Sequence, residues 1–84
     1  MEQKSFKVGD VVRYADGWYT EAEKDFRLIV VEWYDDVNRG YVVDPKYKTA
    51  FGFRKEAVFG YMIAPASADD AAALLRYMHE NGIH

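Results

Sequence analysis

The chain has 84 residues, a formal net charge of −3 and no cysteine. This length fits one domain, and the lack of cysteine excludes a disulfide, a thiolate zinc site and a thiol nucleophile. The acidic balance argues against a nucleic-acid-binding module, because such modules carry a basic surplus. No apolar stretch is long enough for a membrane span or a secretory signal, so we expect a cytoplasmic protein without a membrane partner.

The N-terminal part of the chain predicts two strands separated by an acidic loop. Residues 6–14 read as a turn that enters a first strand, which Asp16-Gly17 breaks. Residues 18–25 form a polar loop. Residues 26–34 are rich in β-branched and aromatic side chains and are apolar on both faces, so they predict the clearest strand. Such a strand must be covered on both sides, and we expect a barrel interior on one side and the C-terminal helix on the other.

The middle of the chain predicts a hairpin and several short elements. Residues 35–40 form the hairpin loop, in which Asn38 and Gly40 are able to take positive φ. The return strand, residues 41–43, is predicted to stop at Asp44-Pro45, because proline donates no ladder hydrogen bond. The following elements are a basic loop at 46–49, a short strand at 50–53, one helical turn at 54–58 and a last strand at 61–63.

The C-terminal segment predicts an α-helix over about residues 67–81. Ser67 is the expected N-cap, and Asp70 three residues later resembles a capping box. Gly82 is expected to end the helix as a left-handed residue. An apolar stripe at helical spacing should face the sheet, and its members are Ala71, Leu74, Leu75 and Met78. The domain organisation is a single domain, 1–84, with a barrel at 6–64 and the helix packed on it.

Residues 6–14 look like the opening strand of many SH3-like barrels, including KOW-type and Tudor-like ones. Over residues 6–63 the chain also resembles a family of small uncharacterised proteins from gut Firmicutes and their mobile elements. The matching residues are Gly9, Asp10, Val12, Tyr14, Gly17, Trp18, Thr20, Glu23, Val31 and Glu32. The chain departs from that family at Tyr19, where a cysteine is expected, and in the added helix. The family has no assigned function, so the resemblance implies a fold and no activity.

The predicted fold class is therefore mostly β (β+α): a small SH3-like, five-stranded, partly open barrel with a C-terminal α-helix packed on it. Residues able to carry chemistry are few. His79 and His84 lie near the chain end and miss the i, i+4 spacing of a helical metal site, and Ser67 serves as a cap. A barrel of this size has little room for a cleft. We predict no catalytic residue, no metal site and no cofactor, and an enzyme ranks third among the functions.

Aromatic residues are numerous, with two Trp, seven Tyr and five Phe, so some should lie at the surface of a small domain. We predict a loop-borne interaction surface that comprises Trp18, Tyr19, Glu21, Glu23, Trp33, Tyr34 and Asp35. The two tyrosines should be exposed and the two tryptophans at least partly buried, and the alternative for the tryptophans is a role in the core. Such a surface would bind an extended peptide with basic residues. The first hypothesis is accordingly a non-enzymatic protein-interaction module.

Basic residues concentrate in one stretch, where Asp44 is the only acid; they are Arg39, Lys46, Lys48, Arg54 and Lys55. The alternative function is a weak single-stranded nucleic-acid binder that uses this stretch, with Tyr41 or Tyr47 stacking on bases. The same stretch could instead be one face of a salt-sensitive homodimer. Two solvated regions of opposite charge are the purely structural interpretation. The sequence does not identify the protein or peptide partner.

Overall fold

The computed structural model describes residues 5–83, which form a five-stranded antiparallel sheet and one helix. The elements are β1 (Val11–Tyr14), β2 (Leu28–Tyr34), β3 (Arg39–Thr49), β4 (Gly52–Phe59), β5 (Ile63–Pro65) and α1 (Ala68–Glu80), with short 3-10 turns at Asp35–Val37 and Gly60–Met62. The strand order is β4-β3-β2-β1-β5, so β4 and β5 are the edges of an open sheet. The protein is therefore mostly β with a C-terminal helix, as predicted.

The main hydrophobic cluster lies on one face of this sheet, the inner face. Paired residues point to the same side and neighbours alternate, so Val12↔Leu28 and Val30↔Val42 share this face. The buried cluster comprises Phe6, Val12, Tyr14, Leu28, Val30, Val42, Val58 and Ile63. Trp33 and Met62 pack at its margin. The inward-pointing residues of all five strands thus build one core.

The opposite face of the sheet, the outer face, is partly covered by α1. Val11, Ile29 and Val43 form a row across three strands on this face. Val11 and Val43 are buried, although they lie outside the inner cluster. The helix packs against β1, and its Leu74 is only 2% exposed. The helix therefore covers the β1 end of this row.

Both predicted ends of α1 are confirmed. The Ser67 hydroxyl accepts a hydrogen bond from the Asp70 backbone N–H at 3.1 Å. At the other end Gly82 has φ +66°, its N–H donates to the His79 carbonyl, and the Ile83 N–H donates to the Met78 carbonyl at 2.8 Å. These two bonds are those of a Schellman motif, which satisfies the last carbonyls of a helix.

The predicted apolar stripe of α1 is wrong at one position. Leu74 is buried, and Ala71 and Met78 are half-buried, but Leu75 is 48% exposed. The reason is that the helix contacts chiefly the four-residue strand β1, so the covered stripe is narrow. An ion pair between Arg27 Nε and Asp70 Oδ2, at 2.9 Å, also joins the start of the helix to the chain that enters β2.

The structure contradicts the prediction that Asp44-Pro45 stops the return strand and that 46–49 is a loop. β3 runs through both positions to Thr49. Its pairing with β4 shifts between Val43, which opposes Lys55, and Lys48, which opposes Phe53. Pro45 lies inside this irregularity, where no residue pair forms. The missing N–H of proline therefore removes no regular ladder bond, as is usual for proline at a bulge.

The short strand at 50–53 and the helical turn at 54–58 are also wrong, because one continuous strand, β4, begins at Gly52. Ala50 and Phe51 form the hairpin turn, and Gly52 has φ +104°. Segment 54–58 contains good helix formers, yet its backbone groups bond to β3, and this pairing overrides local propensity. Phe51 is therefore fully exposed at the turn.

Two smaller differences concern glycine and the last strand. Asn38 adopts φ +50° as expected, but Gly40 does not and instead lies within β3. A Cβ at Gly40 would collide with the ring of Trp33 and the carbonyl of Glu32, so its role is to let that ring lie flat against the strand. The predicted strand at 61–63 is mostly a 3-10 turn, and β5 begins at Ile63.

Candidate functional site

Trp33, one of the predicted surface residues, belongs to the margin of the core. Its ring packs against Phe6 with centroids 5.2 Å apart in an edge-to-face arrangement, which is a favourable geometry for aromatic pairs. The Trp33 Nε1 atom is buried and has no hydrogen-bond partner among residues 5–83. The partial burial expected for this tryptophan is therefore found.

Trp18 lies at the surface instead, in a row of three aromatic side chains. It is 48% exposed, which contradicts the expected partial burial behind Tyr19. Its ring lies 5.2 Å from that of Tyr61, and Tyr61 stacks on Phe59 at 5.5 Å with an interplanar angle of 3°. The sequence analysis missed Phe59 and Tyr61, because the 3-10 turn that aligns their rings has no clear sequence pattern.

The remaining predicted residues on the outside of the molecule form local contacts. Tyr19 and Tyr34 are both exposed, as predicted. The Tyr34 hydroxyl donates to Glu32 at 3.1 Å, and this hydrogen bond to a carboxylate raises the pKa of Tyr34. Asp35 accepts a hydrogen bond from Ser5 at 2.7 Å, and Glu21 forms an ion pair with Lys24 at 3.2 Å. These side chains do not converge on one cavity.

Glu23, a residue of the predicted interaction surface, lines a cavity. The cavity has a volume of about 320 Å³ and opens on the inner face of the sheet. We call it the acidic cleft; its lining residues are Tyr14, Glu23, Phe26, Leu28, Val42, Asp44, Tyr47, Arg54 and Glu56. Its walls come from β1 to β4 and from the loop between β1 and β2. Three carboxylates and three aromatic rings therefore face one space.

The electrostatics of the acidic cleft are visible at Tyr14. Its hydroxyl donates a hydrogen bond to Glu56 Oε2 at 2.8 Å. Burial raises the pKa of this hydroxyl above its ordinary value, and the hydrogen bond to Glu56 raises it further. The negative charges of Glu56, Glu23 and Asp44 all act in the same direction. Each of the three carboxylates of the cleft therefore acts electrostatically on the Tyr14 hydroxyl.

Each of the other two carboxylates in the acidic cleft is oriented by a backbone hydrogen bond. Glu23 accepts from the Thr20 N–H at 2.9 Å, and Asp44 accepts from the Lys46 N–H at 2.9 Å. A carboxylate has about four lone-pair sites, so one such bond leaves capacity for a ligand. Arg54 also lines the cleft, and within residues 5–83 it forms no ion pair shorter than 4.0 Å.

The basic residues predicted as a nucleic-acid surface have separate partners. Lys55 forms an ion pair with Glu32 at 3.3 Å. Arg39, Lys46 and Lys48 lie over the rings of Tyr41, Tyr77 and Phe53 at 5.9, 5.3 and 5.7 Å, respectively. The fifth, Arg54, lies in the acidic cleft. The fold therefore does not place these cations in one continuous row.

The sequence could have revealed the missed residues of the acidic cleft only through a correct β4. In a strand, Arg54, Glu56 and Val58 share one face, and that face is the inner one.

Across the part of the chain that is described, no group of three His, Cys, Asp or Glu residues is arranged to hold a metal ion. The helix α1 is too short and too polar to span a membrane. Comparison with protein-family models, curated proteins and solved structures finds no match.

Proposed function

We propose that the protein is a non-enzymatic interaction module whose acidic cleft binds a basic side chain on an extended segment of another protein. The observation that carries this proposal is the convergence of Glu23, Asp44 and Glu56, from a loop and two strands, on one cavity. The ammonium or guanidinium group of a lysine or arginine would lie between the carboxylates. Its aliphatic stem would pack on the rings of Tyr14 and Phe26.

The size of the cleft supports a single side chain as the ligand. Its volume of about 320 Å³ is near the lower end of the range for small-molecule sites, about 300–1,000 Å³. The position of Glu56 on the edge strand β4 leaves the neighbouring backbone open to an extended segment. Peptides recognised in this way obtain affinity from main-chain bonds and specificity from side-chain pockets.

The chemistry of the lining supports binding rather than catalysis. None of the lining residues is a serine, cysteine, histidine or lysine. The raised pKa of Tyr14 keeps its hydroxyl neutral, so it is a hydrogen-bond donor to Glu56 rather than a base or nucleophile. Of the predicted interaction surface, the proposal keeps Glu23. Its aromatic contacts come from Tyr14, Phe26 and Tyr47 of the cleft and not from the predicted tryptophans and tyrosines.

We also propose that the sheet belongs to the SH3-like barrel class. The consecutive pairing of β1 to β4 and the return of β5 to β1 support this description, as does the long loop between β1 and β2. In this arrangement the acidic loop supplies one wall of the ligand site, through Glu23, and the sheet supplies the others.

The proposal is tested by measuring the binding of labelled glycine–alanine peptides with a central Arg, Lys or Gln. We expect the Arg and Lys peptides to bind and the Gln peptide to bind much more weakly. Glu56→Gln keeps an acceptor for Tyr14 but removes a charge. It should weaken Arg-peptide binding about tenfold or more, since a hydrogen bond to a charged group contributes about 1.5–3 kcal/mol.

The matched control is Glu80→Gln, which removes one negative charge from the exposed end of α1, outside the acidic cleft. It should leave peptide affinity unchanged. Equal affinities for the Arg and Gln peptides, or an equal effect of the two variants, would show that the cleft does not recognise a basic side chain.

A further inference from the structure

Arg54 is a basic residue in the lining of the acidic cleft, which otherwise has three carboxylates as its charged groups. Its side chain is exposed. Within residues 5–83 it forms neither an ion pair nor a cation–π contact. A guanidinium group presents two parallel N–H donors that match the two oxygens of a carboxylate. A basic ligand side chain would account for the three carboxylates of the cleft, but it gives Arg54 no partner.

Arg54 and Glu56 lie two residues apart on the edge strand β4. Side chains at positions i and i+2 of a strand point to the same face, with their Cα atoms about 7 Å apart. This face is the inner one, because Glu56 pairs with the core residue Val42. The edge strand therefore presents one positive and one negative side chain to the cleft at a fixed spacing.

The open side of β4 allows a ligand strand to be added beside these two charges. Within residues 5–83, β4 pairs with β3 alone, and an edge strand has unpaired backbone N–H and C=O groups that another chain can bond. Residues directly opposite each other in an antiparallel pair share one face. The ligand residues opposite Arg54 and Glu56 would therefore also lie two positions apart and point to the cleft.

We propose that the segment bound at the acidic cleft adds antiparallel to β4 and carries a basic residue followed, two positions later, by an acidic residue. This inference rests on the proposed function, because it specifies the sequence of the segment that the same cleft binds. The basic residue lies opposite Glu56 and the acidic residue opposite Arg54. Opposite charges in directly opposed positions stabilise strand pairing, and like charges destabilise it.

The order of the two ligand residues follows from the strand direction. Every strand pair of the sheet is antiparallel, and antiparallel pairing is slightly more stable per residue than parallel pairing. An antiparallel segment passes Glu56 before Arg54, so its basic residue comes first. The residue between them lies opposite Lys55 on the outer face. Lys55 already pairs with Glu32 at 3.3 Å, so a neutral residue fits at this middle position.

The test measures the affinity of the wild type for four peptides by NMR titration, which also shows that the protein is folded. The peptides have blocked termini and a glycine–alanine sequence, and their central residues are Arg-Ala-Glu, Arg-Ala-Gln, Gln-Ala-Glu or Gln-Ala-Gln. The Arg-Ala-Glu peptide should bind about two- to fivefold more tightly than Arg-Ala-Gln, the upper range for an opposite-charge pair across strands. Equal affinities of these two peptides would overturn the inference.

Variants of Arg54 show whether this residue causes the preference. Arg54→Gln should bind Arg-Ala-Glu and Arg-Ala-Gln equally, and Arg54→Glu should prefer Arg-Ala-Arg to Arg-Ala-Glu. Arg76→Gln, on the exposed surface of α1, removes the same charge outside the cleft and should keep the wild-type preference. A preference for the glutamate peptide that persists in Arg54→Gln would contradict the assigned contact.

The strand direction and the use of the sheet edge have their own readouts. The reversed peptide Glu-Ala-Arg should bind more weakly than Arg-Ala-Glu, because its charges then oppose like charges in the antiparallel register. Bound Arg-Ala-Glu should slow the hydrogen exchange of those β4 amides, within residues 52–59, that do not bond to β3. Tighter binding of Glu-Ala-Arg, or unchanged exchange in β4 at saturation, would overturn the antiparallel addition.

The same peptides separate this inference from the proposed function. If the two Arg peptides bind equally and Gln-Ala-Gln does not bind, the cleft recognises the basic side chain alone. The proposed function then stands and the inference is wrong. If Gln-Ala-Glu binds as tightly as Arg-Ala-Glu, the basic residue contributes nothing, and the proposed function fails together with the inference.

Discussion

The helix α1 and the β3–β4 hairpin differ in how they use their apolar residues. The helix satisfies its own ends through Ser67 and Gly82 and buries Leu74 on the outer face. The hairpin leaves Phe51 fully in solvent, although it has the longest strand of the sheet. Residues that only support the fold are therefore buried, and the exposed rings of the hairpin are free to contact a partner.

The largest effect that would test this contrast is expected at the helix. Leu74→Ala should lower the free energy of unfolding by about 2–5 kcal/mol, because it leaves a cavity between the helix and the sheet. Urea unfolding followed by circular dichroism measures the change. Leu75→Ala, one position along and 48% exposed, is the control and should change stability by less than about 0.5 kcal/mol. Equal losses in the two variants would mean that the covered stripe of the helix is placed wrongly.

A second test concerns the base of the β3–β4 hairpin. Gly40→Ala places a Cβ against the Trp33 ring and the Glu32 carbonyl, and overpacking of this kind typically costs about 1–3 kcal/mol. The midpoint of urea unfolding should fall accordingly. The combination with Trp33→Leu should recover part of the loss, since a smaller side chain leaves room for the methyl group. An undiminished midpoint in Gly40→Ala would show that the strand is free to move away from the ring.

A smaller effect is expected from the ion pair that joins α1 to the sheet. The hydrogen bond and positive charge of Arg27 lower the pKa of Asp70 in the folded protein. The stabilisation by this pair is therefore present above the unfolded pKa of aspartate, about 3.9, and is lost as the pH falls through the lower folded value. An NMR titration should give Asp70 a pKa below the ordinary value of an aspartate, about 3.9, and Arg27→Gln should raise it. An Asp70 carboxyl whose pKa does not change in Arg27→Gln would contradict the pair.

The smallest expected effect is at the turn of the β3–β4 hairpin. Phe51→Ala should leave the free energy of unfolding within about 0.5 kcal/mol of the wild type. Phe6→Ala is the matched control: the same residue type, 5% exposed, should cost about 3–5 kcal/mol. A loss of several kcal/mol for the exposed phenylalanine would place it in the core.

The sequence correctly predicted the parts of the fold that depend on interactions between residues close together in the chain. Ser67 and Gly82 define the helix ends by hydrogen bonds within a few residues, and such ends are legible in a single sequence. Segment 54–58 has no comparable local determinant. It becomes a strand because β3 offers a pairing edge, and β3 itself persists because the register shift accommodates Pro45. Both facts depend on residues far apart in sequence.

The candidate site was less predictable for the same reason. Glu23 was identified from its place in an acidic loop. Asp44 and Glu56 were not, because their convergence depends on the β3–β4 pairing. Trp18 was identified as part of a surface, but its neighbours Tyr61 and Phe59 were assigned to other elements. The types of residue at the surface were thus predictable, whereas their grouping was a property of the tertiary fold.

The register shift between Val43 and Lys48 also has a consequence for amide hydrogen exchange. Before the shift, five consecutive residue pairs join β3 to β4, from Arg39↔Phe59 to Val43↔Lys55, and beyond it only two pairs remain. Segments with few backbone bonds and little buried surface open at a lower free energy than the rest of a domain. The amides of residues 48–53 should therefore exchange as a separate unit, faster than those of residues 39–43.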